Sequence, residues 1–176
     1  VSKQGHVVTN YHVVKNCRNI EAFIEGKSIP VSVLRTDPEQ DLALLQLDTA
    51  PEHILSFRKG GAPRPGTPVV SVGYPLQGLL ASQVNVTTGT VSSLAGLKGD
   101  ERVIQVTAPI QSGNSGGPIL DHSGNVIGVA VSKLNALAIA QFTGDLPQNI
   151  NFAINPTRAK TFLDQAKVPY QTSEST

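Results

Sequence analysis

Apolar and polar residues alternate along most of the chain, which is the period of a half-buried strand. That pattern predicts strands at His6–Thr9, Ile20–Ile24, Ser28–Leu34, Leu42–Leu47, Pro68–Val72, Ser82–Ser92, Arg102–Val106, Gly117–Leu120, Val126–Val131 and Ile150–Ile154. Glu25-Gly26-Lys27 and His122-Ser123-Gly124-Asn125 place turn formers between such runs and read as hairpin loops. Many short strands joined by polar turns predict an all-β barrel or sandwich. One late segment changes period. Asn155 suits a helix N-cap, Pro156 suits the first turn, and Ala159, Phe162, Leu163 and Ala166 recur at helical spacing. A short amphipathic helix over 156–166 is expected, with Phe162 and Leu163 packed on the body. Residues 167–176 have no apolar pattern and read as a linker or frayed end.

Composition narrows the picture. The 176 residues fit one domain, or two small subdomains sharing a core. Fourteen Lys and Arg against 13 Asp and Glu leave a formal charge of +1, so no nucleic acid or anionic membrane surface is expected as partner. Charged residues are 15% of the chain, against about 25% in ordinary soluble domains. With 16 Gly and 12 Pro, the balance favours strands and turns over a helical bundle. No apolar run reaches the roughly 18 residues a membrane helix needs, so no membrane insertion is expected. The single cysteine, Cys17, excludes an internal disulfide framework and a multi-cysteine metal site; no metal and no cofactor is expected. Cys17 reads as a small buried hydrophobe, the alternative being half of a disulfide to a segment upstream. The chain opens Val1-Ser2-Lys3 and contains no Met, so it is expected to be a piece of a longer one, with any signal peptide upstream.

The sharpest candidate chemistry is Gly113-Asn114-Ser115-Gly116-Gly117-Pro118. A serine among glycines sits in a tight turn whose backbone N–H groups can be aimed at one point. Ser115 is a candidate nucleophile, and the N–H groups of Gly113 and Ser115, with Asn114 between them, are candidates for an oxyanion hole. A hydroxyl needs a base. Of four histidines, His6, His53 and His122 read as structural or solvated, whereas His12 stands at the end of the first strand. Asp41 opens the apolar run Leu42-Ala43-Leu44-Leu45, so the strand start can carry its carboxylate inward. A buried carboxylate needs a donor, and the Nδ1–H of His12 suits. The chain order His12, Asp41, Ser115 agrees with one of the three known orders of such triads, the one found on β-barrels.

Thr9-Asn10-Tyr11-His12-Val13-Val14, Asp41-Leu42-Ala43-Leu44-Leu45 and Gly113-Asn114-Ser115-Gly116-Gly117-Pro118 together resemble the three motifs of the chymotrypsin-like serine proteases, most closely the bacterial HtrA/Deg branch. Weaker echoes are Val72-Gly73-Tyr74-Pro75 and Val86-Thr87-Thr88-Gly89-Thr90-Val91-Ser92. The resemblance implies two packed six-stranded antiparallel barrels, about 1–60 carrying His12 and Asp41 and about 66–155 carrying Ser115, then the helix 156–166 and the tail 167–176. It implies a serine endopeptidase acting on proteins or peptides through an acyl-enzyme, without a cofactor, in an extracytoplasmic setting, in protein quality control or processing. The substrate pocket would be formed near Pro109, Ile110 and Asn151. With no acid there to pair a basic side chain, cleavage after a small or medium apolar residue is expected. Leu76–Ser82, Leu94–Arg102 and Leu134–Gln148 would be the loops that switch such proteases. Family members near this chain are often homotrimers, so a homo-oligomer is left open. Two other readings stand: a catalytically silent protease fold that binds peptides or serves as scaffold, and a stand-alone secreted protease without a PDZ domain.

Overall fold

The computed structural model describes residues 1–74, 84–132 and 150–176. The first half forms β1 (His6–Thr9), β2 (Glu21–Ile24), β3 (Lys27–Asp37) and β4 (Leu42–Leu47), antiparallel in the order β1-β4-β3-β2. A single helical turn, α1 (Tyr11–Val14), follows β1. β4 is apolar at every position but Gln46 because it is covered on both faces. Ala43 and Leu45 pack with Val14, while Leu42 and Leu44 turn toward the second half. The β2–β3 hairpin has two loop residues, Glu25 and Gly26, both with positive φ (50° and 77°), the twist such hairpins need.

The second half contributes β5 (Phe57–Arg58), β6 (Pro68–Gly73), β7 (Asn85–Ser93), β8 (Val103–Val106), β9 (Pro118–Leu120), β10 (Val126–Val131) and β11 (Asn151–Ile154). The order β11-β8-β7-β6-β9-β10 closes on itself through β10–β11, giving a six-stranded barrel. Its interior is filled by Val69, Val91, Ile104, Val106, Ile119 and Ile127. The helix α2 (Pro156–Gln165) begins as expected, with Asn155 Oδ1 accepting the Thr157 N–H at 3.0 Å and Pro156 in the first turn. Phe162 and Leu163 enter a core shared by both halves, with Leu42 and Leu44 on one side and Val126, Val129 and Val131 on the other. Each such side chain contributes about 1.5–3 kcal/mol by leaving water. Arg35 of β3 reaches across to Gln165 Oε1 at 3.0 Å and lies over the Phe162 ring, so polar and apolar contacts fasten the helix at the same place.

The all-β, chymotrypsin-like double-barrel class expected from the sequence is the class observed. The first barrel differs in strand count: among the described residues it is a four-stranded half-barrel. Phe57–Arg58, within the span expected for the first barrel, pairs in parallel with β10 and so belongs to the second sheet. The tail is not frayed. Thr172–Ser173 forms β12 beside β5, Phe57 donates its N–H to Gln171 O at 2.8 Å, and Ser175 Oγ bonds the buried Asp121 carboxylate. Cys17 is exposed, not buried; its position after α1 turns it to solvent. Of the expected switching loops, Leu94–Arg102 holds one 3₁₀ turn at Leu97–Gly99; Leu76–Ser82 and Leu134–Gln148 lie outside the described residues, as do Ser82 and Gln83 of the predicted strand Ser82–Ser92.

Candidate active site

His12 is carried by the helical turn α1, one step beyond the strand end on which the alternation places it. Asp41 sits at the entrance to β4 with φ +53°, a left-handed conformation that Asp tolerates better than most residues. The turn and the strand entrance are knitted together around this one aspartate. Its backbone carbonyl accepts the Tyr11 N–H at 3.1 Å and Asn10 Nδ2 at 3.2 Å. Its carboxylate accepts the His12 N–H at 2.9 Å through Oδ1 and meets His12 Nδ1 at 2.7 Å through Oδ2. An ionised carboxylate only accepts, so Nδ1 carries the proton and Nε2 is left with a lone pair. The His12 side chain is 15% exposed, and its position is fixed from the backbone as well as from the ring.

Ser115 stands on the loop between β8 and β9. Gly113 and Gly116 in that loop have φ +99° and +81°. Gly116 is also pressed against the first half: a Cβ there would lie 2.1 Å from Thr9 Oγ1 and 3.1 Å from Asn10 N. The loop bearing Ser115 is therefore seated on the residues that lead into His12. Its other side is zipped to β10 by Gly116 N–H to Ala130 O at 3.0 Å and Ala130 N–H to Gly117 O at 2.9 Å. The N–H groups of Gly113 and Ser115 have no acceptor among the described residues. Asn114 differs from the expectation: its N–H is donated to Gln111 O at 3.0 Å, so of the three only Gly113 and Ser115 keep a donor available.

The hydroxyl of Ser115 is engaged by a residue the sequence did not single out. Ser115 Oγ lies 2.5 Å from Ser132 Oγ and accepts the Ser132 N–H at 3.1 Å. Among the described residues it makes no hydrogen bond to His12. The expected pocket residues are drawn together in part. Asn151 Oδ1 accepts the Ile110 N–H at 3.2 Å, so its carbonyl end is used to hold backbone. Ile110 packs against the barrel core, and Pro109 is exposed with its carbonyl bonded by Thr87 Oγ1 at 2.7 Å. His53 is solvated at 92% side-chain exposure, and His6 Nδ1 is bonded to Ser2 Oγ at 2.7 Å. His12 and Asp41 line a cavity of about 350 Å³ together with Tyr11, Gln40, Arg102, Val131 and Ile154. Arg102 on its wall donates Nη1 to Glu39 O at 3.1 Å and pairs through Nη2 with Asp100 at 2.8 Å. That contact ties the loop before Asp41 to the second barrel.

A closed barrel and a half-barrel, with histidine and aspartate on one and a glycine-flanked serine on the other, is the architecture of the chymotrypsin-like proteases. Comparison with known proteins agrees. Residues 1–129 match the family model described as a trypsin-like peptidase domain. The chain belongs to that family, as a chymotrypsin-like serine protease domain of the HtrA type. It is 49% identical over 164 residues to the uncharacterized protein y4bJ of Sinorhizobium fredii, covering 93% of this chain and 26% of that protein. It is 34% identical over 170 residues to a probable periplasmic serine endoprotease, DegP-like, of Chlamydia pneumoniae, covering 94% of this chain and 33% of that protein. Among solved structures, the HtrA-type protease AlgW with decapeptide superposes with a TM-score of 0.76 at 27% identity, over 94% of this chain and 49% of that one. The chain thus spans between a quarter and a third of the length of these two curated relatives.

Proposed function

We propose that the protein is a serine endopeptidase in which Ser115 is the nucleophile, His12 the general base and Asp41 the group that orients it. The observation that carries this reading is the double grip of the Asp41 carboxylate on His12, at the backbone N–H and at Nδ1. It leaves Nε2 as a proton acceptor, next to a loop whose Gly116 rests on Thr9 and Asn10. In the reaction, Ser115 Oγ attacks the peptide carbonyl as its proton passes to Nε2. The oxyanion is met by the N–H groups of Gly113 and Ser115. His12 then protonates the leaving amine, and water, deprotonated by the same nitrogen, hydrolyses the acyl-enzyme. Pro109 and Ile110 border the primary pocket, with Asn151 bracing it, and favour a small or medium apolar side chain before the cleaved bond. No cofactor is required. The substrates are proteins or peptides. The periplasmic description of the DegP-like relative supports an extracytoplasmic setting; a role in protein quality control or processing, and a homo-oligomeric assembly, are what the family resemblance implies. Among the described residues no helix is long and apolar enough to cross a membrane.

The catalytically silent reading draws its support from the Ser115–Ser132 contact, which occupies the hydroxyl. One experiment separates the two. Ser115→Ala is expected to lower peptide turnover by roughly 10⁴- to 10⁶-fold and to abolish labelling by a fluorophosphonate probe. Wild-type protein that neither labels nor cleaves an unfolded protein substrate would establish the silent module. A peptide-library profile with the active protein should show Val, Ala or Leu at the cleaved position; dominant cleavage after Lys, Arg or Glu would sink that part of the assignment.

A further inference from the structure

Ser132 follows β10 directly, and the register of β10 decides where its side chain falls. The two backbone bonds between Ala130 and the Gly116–Gly117 peptide fix the nucleophile loop against the strand. Two residues further on, Ser132 crosses in front of Ser115. Its N–H occupies one lone pair of Ser115 Oγ, and its hydroxyl shares the remaining contact at 2.5 Å. The Ser132 hydroxyl has no other partner among the described residues. A serine held by both an N–H and a hydroxyl is a poorer nucleophile than one that donates to an imidazole. The N–H withdraws electron density from Oγ, and the proton has no base to go to.

We propose that Ser132 is a positioning residue that keeps Ser115 in a resting orientation, away from His12, and that attack on a substrate requires this pair to part. The inference rests on the reading of Ser115 as nucleophile and His12 as base. When the pair opens, the Ser115 hydroxyl turns to donate to His12 Nε2. The Oγ–carbon bond then forms as the O–H bond breaks, the proton moving to Nε2 and the carbonyl π electrons to the oxyanion. The Ser132 N–H and hydroxyl are released to solvent or to the bound peptide. The chemistry is unchanged; what Ser132 sets is the fraction of molecules whose nucleophile is available.

The test is the second-order rate of labelling by a small fluorophosphonate, measured on wild type, Ser132→Ala, Ser132→Thr and Ser115→Ala. Loss of one neutral hydrogen bond predicts that Ser132→Ala labels about 3- to 10-fold faster than wild type. Ser132→Thr keeps the hydroxyl and should label at close to the wild-type rate. Ser132→Gly removes the same hydroxyl and serves if the alanine variant does not fold, as judged by circular dichroism and thermal melting. Labelling of the alanine or glycine variant at or below the wild-type rate would overturn the proposal, as would equal acceleration in the threonine variant. Persistent labelling of Ser115→Ala would instead overturn the assignment of the nucleophile, so the two failures are distinct.

Discussion

At the scale of single residues, the site is held by conformations most side chains avoid. Asp41 adopts a left-handed backbone so that its carbonyl and its carboxylate both point at residues 10–12. Gly116 combines a positive φ with a space too small for a Cβ. These demands give a direct prediction. Gly116→Ala must push Thr9 aside or lift the loop from β1, because the new methyl would lie 2.1 Å from Thr9 Oγ1. The expected result is a fall in melting temperature corresponding to about 1–3 kcal/mol, together with loss of fluorophosphonate labelling. A variant that labels and melts like wild type would show that the loop does not need this seat. Both residues were readable as candidates from the motifs that contain them. The contact between Gly116 and Thr9 was not readable, since it joins positions more than 100 apart through the docking of two halves.

At the scale of elements, what the sequence showed and hid follows from length. β4 and β10 match their predicted bounds because six residues with a consistent pattern suffice to mark a strand. β5 and β12 are two residues each, too short for any period; the sequence predicts no strand at the first, and the second falls in the segment expected to be a tail. α1 was hidden because it is a single turn of four residues, too short to show a helical period. Ser132 was hidden for a further reason: only the register between β10 and the loop before β9 brings it to Ser115. One tether between elements carries a prediction of pH dependence. The Asp100 carboxyl is held below its usual value, first by the hydrogen bond from Arg102, whose guanidinium also reaches Glu39 O beside Asp41. A depressed carboxylate contributes stability that is complete above its ordinary pKa and is lost as pH falls through the lowered one. Asp100→Asn should therefore melt below wild type at pH 7, by no more than about 1 kcal/mol for so exposed a pair. The difference should vanish as the pH is lowered past the carboxylate range. A gap that stays constant down to acid pH would mean that the pair contributes by shape alone.

At the scale of the whole molecule, the candidate triad is divided: two members on the half-barrel, one on the closed barrel. The core that joins them is also divided, with Leu42 and Leu44 on one side and Phe57, Val126, Phe162 and Leu163 on the other. Gly60, Gly61 and Ala62 lie exposed between β5 and β6. A specific protease site introduced at Gly61 and cut should leave a nicked protein that elutes as one species and still labels with fluorophosphonate. The two fragments separated in denaturant and returned singly to buffer should not label. Labelling by the isolated C-terminal fragment at the intact rate would show that His12 and Asp41 are dispensable.

The zipper between the nucleophile loop and β10 has a consequence for speed. With Gly116 and Gly117 bonded to Ala130, the backbone beneath Ser115 is tied in register whichever way its hydroxyl points. Freeing Ser115 from Ser132 then calls for turning side chains, not for refolding a loop. Rotamer exchange belongs to the picosecond-to-nanosecond range, whereas loop and domain rearrangements occupy microseconds and longer. A nucleophile gated in this way re-equilibrates many times during a single encounter with a peptide, so its restraint lowers the rate in proportion to the population withheld and adds no lag.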